Sequence, residues 1–519
     1  MPRFFLLLFL FVGCNNSILA LDYPSNLDSI IDTHRANNQL PKVVAYLDKV
    51  LSKAEKEYGI QSDTVAFYLA HQANIIKELG RYKEAYKLFE KVVTIYEQHP
   101  SKNQIKLTTA LVDWARAHIN SREHPSAQEL LHRALEVVQQ TTPLDTIALA
   151  RVYNNLSANC WLSNKDAEGL EFGKKALDLL SKSKLESTLD FLELALCYEN
   201  MAGSYGGIQK YEEAVAMQKK SIELRQEHFP PQKQRFASSF SNLARFYGKM
   251  NRYNEALPYH QRSADMMRKN KGDRHPETAI YLNNLANCYT YLHQFDKSEP
   301  LLLEALDIFK ETLGPEHPNS IVFTNNIGGL YGSMRELEKA KIYFQKALTL
   351  GEKVFGETHP NSITFKSSLA GVLMDSKKYD EALQLFSEAA ETSKVVFGPK
   401  SLQVIISYNQ MAKCYLFLGA DFYTKALEYV DHSITLNAVT PIHIEALENN
   451  LEDLSNRTLR SNIQFQKALE VRSKIQQAIY KDTKDQQFLI NSYKTQKVLA
   501  YYSQQLQNTV YTRQDKLRT

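Results

Sequence analysis

Apolar positions along this chain fall on helical spacing, and the spacing itself repeats. Between Leu282 and Leu292, residues Leu282, Leu285, Ala286, Tyr289 and Leu292 share one face of a helix. After a turn at His293 and Gln294, a second buried stripe is marked by Ser298, Leu301, Leu302, Ala305, Ile308 and Phe309. Gly314 and Pro315 then end the pair, since Gly relaxes the last turn and Pro cannot continue it. The anchor Leu285 and its small neighbour Ala286 have counterparts at Gln72-Ala73, Trp114-Ala115, Leu156-Ser157, Met201-Ala202, Leu243-Ala244, Ile327-Gly328, Leu369-Ala370 and Met411-Ala412. The steps between anchors are 42 residues, except one of 45 between Leu156 and Met201. A period of this size marks units that bury their apolar faces only by stacking on their neighbours. The pattern predicts an all-α array of helix pairs, with a long surface instead of an enclosed pocket.

Further columns define the unit. Thirteen residues after the anchors stand Ala85, Ala127, Gly169, Ala214, Ala256, Ser298, Ala340 and Ala382. Twenty after them stand Ala134, Ala176, Ser221, Ser263, Ala305, Ala347 and Ala389, and ten after several of them an aromatic such as Tyr211, Tyr253 or Phe295. Small residues in both helices let the paired backbones approach closely. This pattern resembles the tetratricopeptide repeat (TPR). The linkers at Gly272–Pro276, Gly314–Pro318 and Gly356–Pro360, each ending in His-Pro, and the paired asparagines before Leu285 look like the kinesin-light-chain type of 42-residue TPR.

The resemblance implies a right-handed superhelix (an α-solenoid) of antiparallel helix pairs, about nine to ten units over residues 27–435, with first helices lining a concave groove. A degenerate first unit is expected around Ile30, its second helix running from Val43 to Tyr58. Beyond about Thr440 the period is lost. There Glu445 to Thr458 and Asn462 to Gln507 read as helices, so residues 440–519 form either a helical C-terminal cap, which the end of a stacked array needs, or a partner-binding or self-associating extension.

The first residues follow a different rule. One basic residue, Arg3, precedes the apolar run from Phe4 to Val12, and Gly13, Cys14 and Asn15 follow. Such a pattern over residues 1–20 reads as a secretory signal peptide, too short to span a bilayer comfortably as a helix. Cleavage after Ala20 is one outcome. Lipidation at Cys14 is the other, because residues 11–14 resemble a bacterial lipobox. Either implies export, to a periplasm or a membrane tether if the source is bacterial. The alternative is a cytoplasmic protein whose apolar run is an uncleaved anchor or a misassigned start.

Charge narrows the partners. The formal net charge is +4, yet residues 451–519 alone carry 12 Lys and Arg against 6 Asp and Glu. The remainder is therefore near −2, which is no footprint for nucleic acid. Cys160, Cys197, Cys288 and Cys414 sit at helical spacing without a CxxC pair, and read as small core residues. His275, His317 and His359 recur in equivalent linkers, so they read as turn elements and not as metal ligands. There is no phosphate-binding glycine loop, HExxH or GxSxG. The expectation is a non-enzymatic protein-binding scaffold without metal or cofactor, an adaptor of kinesin-light-chain type or an enzyme hidden in the C-terminal helices being the rivals.

The candidate site is a column of amides. Asn155, Asn200, Asn242, Asn284 and Asn326 each immediately precede an anchor. By resemblance to the family this column faces the groove, where an amide can donate to and accept from a peptide backbone at once. Local bonding within the repeats is the alternative reading. Arg151, Arg245 and Lys249 lie on the same first helices, where guanidinium and ammonium groups would favour an acidic segment of a protein or peptide partner. Membrane contact is expected only through the N-terminal segment.

Overall fold

The computed structural model describes Leu27, Ile31, His34 and residues 39–229, 235–438, 459 and 462–518. The expected leader at residues 1–20 with Cys14, the anchor Ile30 and the helix from Glu445 to Thr458 lie outside these residues. Helix α1 (Leu40–Tyr58) occupies the second-helix place expected after Ile30. First helices follow at α2 (Asp63–Glu78), α4 (Pro100–Asn120), α6 (Thr146–Leu162), α8 (Thr188–Gly207), α10 (Arg235–Lys249), α12 (Pro276–Tyr291), α14 (Pro318–Ser333), α16 (Pro360–Asp375) and α18 (Leu402–Leu418). Second helices are α3 (Tyr82–Glu97), α5 (His124–Gln139), α7 (Asp166–Lys182), α9 (Tyr211–His228), α11 (Tyr253–Lys271), α13 (Phe295–Leu313), α15 (Leu337–Phe355), α17 (Tyr379–Phe397) and α19 (Tyr423–Asn437). Two longer helices, α20 (Asn462–Thr483) and α21 (Gln486–Arg518), close the order. No helix among the described residues is long and apolar enough to cross a membrane.

The chain divides into two compact units, Met1–Arg252 with α1 to α10 and Tyr253–Thr519 with α11 to α21. Within each, the small columns do what their spacing predicts. Ala85, Ala127 and Ala214 in the first unit, and Ala256, Ser298, Ala340 and Ala382 in the second, are fully buried. A methyl is close to the largest group that fits. A Cβ at Gly169 would come within 2.8 Å of the Ser204 hydroxyl and 3.2 Å of the Ser157 carbonyl.

In the seven pairs anchored from Trp114 to Leu369, the turn is a left-handed residue eight places after the anchor. Arg122, Asn164, Gln209, Asn251, His293, Arg335 and Lys377 all take φ between 56° and 66°. An L-residue there costs about 1 kcal/mol, which the closing bonds offset, such as Gln294 N–H to the Tyr289 carbonyl (2.9 Å) and Glu336 N–H to the Tyr331 carbonyl (2.9 Å).

The His-Pro linkers start the next helix. His275, His317 and His359 are N-caps whose ring Nδ1 accepts from Glu277, Asn319 and Asn361 N–H at 3.1 Å, with Pro in the first turn. The imidazole Nδ1 therefore serves the orphan donors that the side chains of Ser62, Asp145 and Ser187 serve in α2, α6 and α8.

At the C-terminal end the single helix expected from Asn462 to Gln507 is two. Lys484 adopts φ 59°, and Asp485 Oδ1 accepts from Gln487 N–H at 2.9 Å, so the chain reverses into α21. Phe465, Leu469 and Ile475 of α20 share a core with Val430 and Ile434 of α19.

Candidate functional site

The asparagine column divides by what each amide does. Asn200 Nδ2 on α8 donates to Asn154 Oδ1 on α6 at 2.6 Å. Asn326 Nδ2 on α14 donates to Asn283 Oδ1 on α12 at 2.9 Å. In both cases the asparagine one before an anchor reaches back to the asparagine two before the preceding anchor. Asn409 on α18, two before its anchor, instead donates forward, to the Gln464 backbone carbonyl on α20 at 3.3 Å. By that bond α20 takes the place of a further first helix. Asn284 is also engaged within the protein.

Where the column lapses, the ladder lapses with it. Ser368 stands where an asparagine would reach Asn325, and its hydroxyl turns back to the Thr364 carbonyl at 3.0 Å. Asn325 Oδ1 is buried with no partner among the described residues.

Asn155 and Arg151 belong to a different arrangement, centred on Glu193 of α8, which is 6% exposed. Glu193 accepts from Arg116 on α4 at 3.3 Å, and from Arg151 at 3.2 Å and Asn154 at 3.2 Å, both on α6. Arg116 Nε also donates to Asn155 Oδ1 at 2.8 Å, and Asn155 Nδ2 donates to the Arg151 carbonyl at 2.7 Å. The attraction of Glu193 and Asp113 raises the Arg116 pKa although burial works against it. Sequence reasoning singled out Arg151 and Asn155 but missed Glu193, the carboxylate that fixes them. Its partner Arg116 lies 77 residues earlier, so no local spacing signals the pair.

The remaining candidates gather on α10. Asn242, Arg245 and Lys249 stand three and then four residues apart and so share one helix face. None of the three has a hydrogen bond or ion pair among the described residues. Arg245 is exposed, with its guanidinium 4.8 Å from the Phe246 ring centroid. Desolvation there lowers its pKa, opposed only by Tyr211. A desolvated guanidinium without a carboxylate favours an anion that would complete it. The structure thus separates locked cations, Arg116 and Arg151, from open ones, Arg245 and Lys249.

Other chemistry is sparse. Cys160, Cys197, Cys288 and Cys414 are buried and unpaired, and burial pushes the Cys197 and Cys414 thiols up to about 12. Thiols so protonated at neutral pH are poor nucleophiles. Among the described residues no group of His, Cys, Asp and Glu is placed to hold a metal ion.

Paired helices on a period of 42 residues, close-packed through small residues, define a helical-repeat interaction scaffold. Family models described as tetratricopeptide repeat match residues 235–311, 281–353 and 361–438, residues 194–232 and residues 68–99. The chain belongs to the tetratricopeptide repeat family, and its repeats resemble those of kinesin light chain.

Solved structures with similar folds include nearly identical TPR-like repeats from Podosopora anserina described as kinesin light chain, at 18% identity, covering 40% of this chain and 98% of that one, with a TM-score of 0.34. BtubC (BKLC) from P. vanneervenii is similar at 18% identity, covering 44% and 91%, with a TM-score of 0.38. The quorum sensor NprR from B. thuringiensis, in its apo form, is similar at 16% identity, covering 69% and 97%, with a TM-score of 0.48. No curated protein sequence matches the chain.

Proposed function

We propose that this interaction scaffold holds an extended, acidic segment of a partner protein along its first helices, without catalysing a reaction. The observation that supports this reading is the α10 face, where Asn242, Arg245 and Lys249 stand in line without partners among the described residues, while Arg116 and Arg151 are paired with Glu193, and Arg116 with Asp113 as well. An extended backbone would meet the Asn242 amide, and its carboxylates would meet Arg245 and Lys249. The amides of Asn155, Asn200, Asn284 and Asn326 belong to the same proposal through whatever donors and acceptors their internal bonds leave open. Each such hydrogen bond contributes about 0.5–1.5 kcal/mol, so affinity would build up from several modest contacts.

The test is fluorescence anisotropy with a labelled glutamate-rich peptide. Paired Arg245→Glu and Lys249→Glu changes should weaken binding about tenfold, equivalent to about 1.4 kcal/mol, and should flatten its salt dependence. Unchanged affinity would move the site elsewhere.

Export is proposed with it, on the N-terminal pattern at residues 1–20. Intact mass of the protein from its own host distinguishes an acylated start at Cys14 from a start near Leu21. A start at Met1 would place the partner search in the cytoplasm.

A further inference from the structure

In the eight repeats anchored from Gln72 to Leu369, the position 17 residues after the anchor is buried within the helix pair. Phe89 and Leu131 fill it in the first unit, and Leu302, Phe344 and Phe386 in the second, all buried. At Gly173 the room is taken by Met201, whose Cγ would stand 2.6 Å from an added Cβ. Two consecutive repeats break the apolar rule, with Gln218 on α9 and His260 on α11 at this same position.

Both are buried, at 1% and 8% exposure. Neither Nε2 nor Oε1 of Gln218, nor Nδ1 of His260, has a partner among the described residues. A polar group taken out of water without a replacement bond opposes the burial that holds the pair together. Burial also holds the His260 pKa down to about 4, so the ring stays neutral and adds no ion pair in return. Stability in a repeat array is a sum of local terms, so a weak core term remains local. Helix α9 packs against α8 and α10, and α11 against α12.

We propose that Gln218 and His260 make α9 and α11 the helices at which the array opens first, and that a partner segment held across α8 and α10 closes α9. The opening stands on the core positions alone. The closing rests on the reading that acidic segments bind at Asn242, Arg245 and Lys249.

Hydrogen exchange read by mass spectrometry on the full chain tests both. Amides of α9 and α11 are expected to exchange at least tenfold faster than those of α13, α15 and α17. Gln218→Leu should slow exchange in α9, and His260→Leu should slow it in α11, each in its own helix. Gln218→Met, closer to glutamine in shape, keeps the test open if the leucine variant folds poorly. Equal protection across these helices overturns the opening. So does faster exchange in the variants, which would mean that an internal water serves the amide in solution. With the glutamate-rich peptide bound, exchange in α9 should slow. A peptide that binds by anisotropy but leaves α9 unchanged overturns the closing, whereas a peptide that does not bind removes the acidic-segment reading and leaves the opening as it was.

Discussion

At the scale of the residue, an amide is worth most where its partner would otherwise be orphaned. Asn326→Ala removes the donor to Asn283, a residue 5% exposed, and should cost about 1–3 kcal/mol in chemical denaturation because a buried carbonyl is left unpaired. The reverse change is available where the ladder lapses. Ser368→Asn offers Asn325 Oδ1 a donor and should stabilise by about 0.5–1.5 kcal/mol in the same assay. The asparagine column was legible as a column in the sequence. Its bonding was not, since the acceptors lie 43 and 46 residues away and only the register of neighbouring helices brings them within reach.

His260 sets a pH dependence of definite sign. Its folded pKa of about 4 lies below the ordinary histidine value of 6.5. Between those values the unfolded chain binds more protons than the folded one, so stability rises with pH. This contribution is fully present above pH 6.5 and is lost as pH falls toward 4. Its full size is about 3 kcal/mol, and His260→Leu should flatten that part of a melting-temperature profile measured against pH.

At the scale of the element, most of what the pattern predicts is realised, because helices here are made by local rules. The 3.6-residue stripe, the small columns and the Gly-Pro stops each act within one helix pair. The His-Pro linkers illustrate what local chemistry adds. Their recurrence marked a turn element, and the geometry makes each histidine an N-cap. His317→Ala should therefore lower stability by about 1 kcal/mol, while His317→Asn, which keeps a short acceptor, should restore most of it. Circular dichroism melts of the two variants separate capping from a purely packing role. The break between α20 and α21 was missed because it depends on a left-handed Lys484 with no glycine to announce it. The sequence signal was the short run Asp482, Thr483 and Asp485, residues able to cap, of which Thr483 Oγ1 accepts from Asp485 N–H and Asp485 Oδ1 from Gln487 N–H.

At the scale of the whole molecule, a repeat array has no single core to lose. Phe89 lies in the first unit, and Phe386 in the second. Replacing either by Ala should cost about 3–5 kcal/mol locally, so calorimetry of the full chain should resolve more than one transition, with each variant lowering a different one. One transition shifted equally by both would mean that the array unfolds as a single cooperative body.

The sequence by itself determined the class of fold, since a 42-residue period in apolar and small positions has one economical solution, helix pairs that bury their faces on one another. It also determined which helix faces carry amides and cations. Tertiary structure alone decided which of those groups are free. Arg151 and Arg245 read alike in a string of letters, yet Glu193, 42 residues from Arg151, neutralises one and nothing among the described residues pairs with the other. The reason is range. Helix formation is decided over a few residues, whereas pairing and desolvation of a charge depend on whatever the neighbouring repeats bring to within about 4 Å.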